Sequence, residues 1–119
     1  MAGLRKVNHK GTEIIYIDYR GAKEAEMIQI ISEAEAMIIK EQKRFRTLTN
    51  INDAFATKGY LTRAKDMASK TQHLSDKGAI IGITGGKLVL LKIFNKLFAG
   101  GRGLKPFDNE LEALDFLAS

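Results

Sequence analysis

Ile14, Tyr16 and Asp18 alternate with Ile15, Ile17 and Tyr19, which predicts a strand over Glu13–Arg20 whose two faces are both largely apolar or aromatic. Such a strand belongs inside a sheet, with helices on at least one face. Lys10 and Gly11 give a turn signal that joins it, as a hairpin, to a preceding strand over Arg5–His9. Met27, Ile31, Ala34 and Ile38 then recur at spacings of four and three, on one side of a helix over Ala22–Gln42 that Ile30 and Met37 widen. Arg44–Ile51 has the composition and length of a strand and runs into a polar loop at Asn52 and Asp53. A second helix follows over Thr57–Leu74, with Tyr60, Leu61, Ala64, Met67, Ala68 and Thr71 on its buried side. Gly78–Thr84 is short and continuously apolar, as a fully buried strand is, and Gly85 and Gly86 break it before a helix over Lys87–Ala99. Beyond Gly100, Gly101 and Gly103, Leu104–Phe107 reads as a short strand. Asn109 and Glu112 have capping-box spacing at the start of a last helix over Glu110–Leu117.

The order β-β-α-β-α-β-α-β-α makes this an α/β chain, and right-handed crossovers make its later strands parallel after an antiparallel opening hairpin. Its 119 residues allow one domain, spanning 1–119, and exclude a two-lobed enzyme. Cysteine is absent, which removes disulfides, thiolate metal sites and cysteine nucleophiles. Met1–Lys10 lacks the apolar run of a signal peptide, and no stretch has the length of a transmembrane segment, so the expected location is cytoplasmic. The net charge of +5 is spread along the chain. Its densest cluster, Lys40, Lys43, Arg44 and Arg46, lacks interleaved aromatic residues and fits helix-dipole compensation, so nucleic acid is not indicated as a partner.

This order of elements, with Ile14-Ile15-Tyr16-Ile17-Asp18-Tyr19, Ala79-Ile80-Ile81-Gly82-Ile83-Thr84-Gly85, and Leu104-Lys105-Pro106-Phe107-Asp108 leading to Glu112-Ala113-Leu114-Asp115-Phe116-Leu117, resembles the SpoIIAA-like branch of the STAS domains. The resemblance covers nearly the whole chain. It implies a mixed sheet of four or five strands with about four helices packed mainly on one face, and a domain that binds partners or ligands without catalysis. Sporulation antagonists of this fold carry Asp-Ser-Ser-Gly at the start of the second helix, where a kinase phosphorylates one serine. The matching stretch here is Ala56-Thr57-Lys58-Gly59, in which Thr57 alone keeps a hydroxyl. The resemblance makes Thr57 the candidate phosphorylation site; read from the residues alone, it is a helix N-cap.

Gly82-Ile83-Thr84-Gly85-Gly86-Lys87 invites comparison with phosphate-binding loops. The Walker spacing fails, because Ile81 stands where glycine is required and Leu88 where Ser or Thr would hold magnesium. The glycines then serve a sharp exit from strand to helix. Asp18 and Asp53 each close a strand, so both fall at the carboxyl edge of the sheet, where Thr57, Lys58, Thr84, Gly85 and Gly86 also gather and where open α/β sheets bind ligands. A pair of aspartates suits metal binding or acid-base work, but no third ligand or nucleophile accompanies them, and loop capping is the simpler role. His9 and His73 form no metal or triad motif.

The helix over Lys87–Ala99 gathers Lys92, Asn95 and Lys96 on one narrow side, and its apolar remainder, including Phe94 and Leu97, exceeds what one sheet face covers. A neighbouring helix, a second copy of the chain, a lipid-like ligand or a membrane surface would each cover the surplus. The leading expectation is a non-catalytic regulatory module that binds a partner protein and no cofactor. The alternatives are a carrier or sensor of a small hydrophobic ligand built on Phe94 and Leu97, a homodimer, and, last, an enzyme using Asp18 and Asp53.

Overall fold

The computed structural model describes residues 2–83 and 104–119. A five-stranded sheet runs in the order of the sequence: β1 (Gly3–His9), β2 (Thr12–Asp18), β3 (Phe45–Asn50), β4 (Ser75–Ile81) and β5 (Lys105–Phe107). The β1–β2 pair is antiparallel, and the other three pairs are parallel, as right-handed crossovers require. Lys10 and Gly11 both take positive φ, 52° and 82°, which is the backbone of a two-residue primed hairpin turn and explains the glycine there.

Helices α1 (Glu24–Glu41) and α2 (Lys58–Thr71) cover one face, and α3 (Glu110–Ala118) covers the other. The expectation of helices mainly on one face therefore holds for α1 and α2, while α3 shields a second apolar face. Both layers follow from β2. Ile15, Ile17 and the following Tyr19 meet Met27, Ile30, Ile31, Ala34 and Ile38 of α1 and Tyr60, Ala64 and Met67 of α2. Ile14 and Tyr16, with Leu48, Ala79 and Ile81 of the neighbouring strands, meet Ala113 and Leu117 of α3. The helix expected over Lys87–Ala99 lies outside the described residues.

Several boundaries shift by a few residues. β4 starts at Ser75 and ends at Ile81, three residues ahead of the predicted span at each end, because polar Ser75-Asp76-Lys77 pairs with the start of β3 across a register irregularity. Thr57 caps α2, its Oγ1 accepting from Tyr60 N at 3.3 Å. Asn109 caps α3, its Oδ1 accepting from Glu112 N at 2.9 Å, and its side-chain Nδ2 donates to the Glu112 carboxylate at 2.6 Å, in place of the backbone N–H that completes a capping box.

With nine residues, α3 is too short to persist alone. Its hold comes from buried Ala113 and Leu117 and from cations at its carboxyl end. Arg46 donates to the Leu117 carbonyl, and Lys77 Nζ donates to the carbonyls of Phe116 at 3.3 Å and Ser119 at 2.7 Å. Leu117 is fully buried. Leu117→Ala is expected to cost about 2–5 kcal/mol, read as a lower urea midpoint with unchanged m-value.

Candidate functional site

β2, β3 and β4 run parallel, so their carboxyl ends form one edge, and the segments leaving them are stitched together there. Tyr19 N donates to Asn50 O at 2.9 Å and Ile51 N to Ile81 O at 2.9 Å, so the pairing continues past the strand ends. Gly21 N donates to Asp53 O at 3.2 Å, tying the segment after β2 to the loop 51–57 before α2. Asp53 takes the left-handed backbone, φ 55°, that turns this loop. Gly82, with φ 97°, lies against it: a Cβ there would sit 2.6 Å from Asn52 N, closer than real atoms approach. Glycine is required because another backbone occupies the space of a side chain.

Below this edge, on the α3 face, lies a polar cluster. Asp18 is fully buried, and its carboxylate accepts from Arg20 Nη2 at 2.7 Å, Arg20 Nε and backbone N at 3.0 Å each, and Arg5 at 3.3 Å. Burial pushes the Asp18 carboxyl up, but the hydrogen bonds and charge of Arg20, helped by Arg5, outweigh it and hold it below the usual carboxylate value. The same carboxylate raises the pKa of Arg20. Beside it, Asn50 Nδ2 donates to the Tyr16 hydroxyl at 3.1 Å, and that hydroxyl donates to Glu110 at 2.5 Å. Burial first, then Glu110, raises the Tyr16 pKa. Arg5 stacks 4.1 Å over the Tyr16 ring. Asn50 Oδ1 accepts from Asn52 N at 3.1 Å and from its side-chain amide at 2.9 Å, so the cluster reaches the loop.

Neither a protein-family model nor a curated protein sequence matches this chain. Among solved structures, one described as "an Anti-sigma-factor antagonist (STAS) domain protein from Planctomyces limnophilus" superposes with a TM-score of 0.63 at 15% identity, covering 99% of this chain and 100% of that one. The fold is that of a STAS domain. This agrees with the resemblance carried by the strand and last-helix sequences.

Within the STAS frame, the predicted site residues separate. Asp18 and Asp53 do reach the carboxyl edge, but they do not act as a pair: Asp18 is committed to two arginines, while Asp53 contributes its backbone and leaves its side chain exposed. Among the described residues no group of three acidic or histidine side chains is placed to hold a metal. Thr57 is the N-cap of α2 and Lys58 its exposed first residue. The space beside Gly59, in that first turn, is taken by the Glu24 carboxylate, which a Cβ there would meet at 2.8 Å. An internal anion thus already faces the helix start, where the dipole favours negative charge. Thr84, Gly85, Gly86, Phe94 and Leu97 lie outside the described residues.

His9 is partly buried and bonds Asp115 of α3 at 2.7 Å; His73 is exposed. No helix among the described residues is long and apolar enough to cross a membrane. The roles of Arg5, Arg20, Tyr16 and Glu110 escape a reading of the sequence, since Tyr16 and Glu110 stand 94 positions apart.

Two substitutions test this edge. Asp18→Asn is expected to cost about 2 kcal/mol at neutral pH, the size of a charged hydrogen bond set tempered by half-exposed arginines. Because the folded pKa is depressed, this stabilisation is complete above the ordinary aspartate value near 4 and fades as pH falls through the folded value. Urea midpoints of the two proteins should therefore converge in acid. Gly82→Ala is expected to cost about 1–3 kcal/mol and to perturb the amide resonances of residues 51–57, read by two-dimensional NMR.

Proposed function

We propose that this STAS-fold chain is a non-catalytic regulatory module that docks a partner protein on the carboxyl edge of its sheet, through the loop 51–57. The supporting observation is Phe55, which is 79% exposed although its loop is held in place. Thr57 N donates to Phe55 O at 3.0 Å and Ala54 N to Ile51 O at 3.3 Å, while Gly21 anchors Asp53. A large aromatic ring presented to water by a hydrogen-bonded loop loses little entropy on docking, which is the profile of an interface anchor. Leu111, 62% exposed, lies in the first turn of α3, and the exposed Asp53, Lys58 and Arg20 supply a polar rim to the loop.

The solved STAS structure is described as an anti-sigma-factor antagonist. A regulatory protein is accordingly the class of partner proposed here. The commitment of Asp18 to Arg20 and Arg5 argues against the enzymatic alternative built on Asp18 and Asp53.

The test is capture from the native host with tagged wild-type chain and with Phe55→Ser. Because Phe55 makes little of its contact with the core, the variant should keep its stability within about 0.5 kcal/mol. One protein held at constant stoichiometry by the wild type and lost from the variant is the expected result. A stoichiometric partner retained undiminished by Phe55→Ser would remove the loop from the interface.

A further inference from the structure

On the opposite face from the polar cluster, between α2 and the sheet, lies a cavity of about 160 Å³. Its cause is legible in the residues. The floor is Thr47 and Thr49 of β3 and Gly78 of β4, and Ala68 of α2 faces them. These are small side chains where a buried parallel sheet ordinarily carries Val, Ile or Leu. An unfilled void of this size costs stability, because its lining loses packing partners.

The two threonines add hydrogen-bonding capacity. They are 8% and 6% exposed and both line the cavity, and since no buried side-chain polar atom among the described residues lacks a partner, a threonine hydroxyl without a bond to the protein is open to the cavity. By contrast, Thr71, also in the lining, bonds back to its own helix through the Met67 carbonyl at 2.9 Å. Ile17, Ile31 and Met67 supply apolar wall. Among the described lining residues, Arg44 and His73 are the ionisable ones at the amino edge: the Arg44 guanidinium, just before β3, is engaged by Asp76 at 3.3 Å, and His73 is exposed. Gln72 and Ser75 border the same end.

We infer that this cavity binds a neutral molecule the size of one aromatic ring carrying a hydroxyl group, with the ring against Ile17, Ile31 and Met67 and the hydroxyl on Thr47 and Thr49. The size follows from the volume, since an apolar cavity of about 150 Å³ admits benzene. Neutrality follows from the described lining, in which the Arg44 guanidinium is engaged by Asp76 and His73 is exposed, so no free guanidinium faces a carboxylate among the described residues. The hydroxyl follows from the two threonines, each of which both donates and accepts. The described lining of this site includes no residue of the docking loop 51–57.

Phenol is the probe, with benzene and benzoate as controls, titrated into the isotope-labelled full chain and followed by amide NMR and melting temperature. Phenol is expected to give saturable shifts confined to β3, β4 and α2, with benzene about tenfold weaker, the factor for one neutral hydrogen bond, and benzoate without effect. The isosteric pair Thr47→Val with Thr49→Val should lower phenol affinity to that of benzene while leaving the unliganded protein at least as stable. Ala68→Leu should abolish binding of both; should it not fold, the valine pair decides alone. Equal affinity for phenol and benzene, phenol binding unchanged by the valine pair, stronger binding of benzoate, or the lack of saturable shifts at β3 and α2 would each overturn the assignment.

Discussion

Ile14, Ile15, Tyr16 and Ile17 are consecutive and all buried, so β2 places apolar side chains on both sides of the sheet and neither side can be left to water. One side demands α1 and α2, and the other demands α3. The strand then ends in Asp18, whose charge would be untenable at zero exposure without Arg5 and Arg20. Those arginines come from the paired strand and from the turn just beyond β2. The hairpin therefore both covers the edge of β2 and neutralises its end. Tyr16, two positions earlier on the same face, carries the polar network to Glu110 and so fixes the start of α3.

The elements that were legible in the sequence are those with strong local pattern. The four-and-three spacing of Met27, Ile31, Ala34 and Ile38 located α1, and all four are buried. The Lys10-Gly11 turn and the capping residues Thr57 and Asn109 are local chemistry and fell where expected. The second helix layer was less legible. Glu110–Leu117 read plainly as a helix, but nothing local says which face of a sheet it covers; Ala113 and Leu117 are placed by the side chains of β2, β3 and β4 that they meet.

The candidate site was half legible. Strand direction put Asp18 and Asp53 at the correct edge, since that follows from topology. Their chemistry did not follow, because a carboxylate's role depends on its partners, and Arg5 reaches Asp18 only through the register that pairs Gly3 with Asp18 and Arg5 with Tyr16. Nothing in the local pattern marks Phe55; its exposure goes with the turn at Asp53 and the bonds of its loop. Thr47 and Thr49 read as ordinary strand residues of high β-propensity. Gly78 beside them and Ala68 facing them turn them into the floor of a cavity.

The ties between β1 and α3 bear on how the chain folds. His9 and Lys10 share the Asp115 carboxylate, a contact spanning more than a hundred residues, and Tyr16 meets Glu110 across nearly as many. Contacts so distant in sequence close late, because the intervening chain must first be ordered. During synthesis Ala113 and Leu117 emerge after Ile14, Leu48 and Ile81, the sheet residues against which they pack. In that interval Ile14, Leu48 and Ile81 wait for α3, and a nascent chain stalled before Leu117 would be more prone to aggregate than one in which α3 has docked.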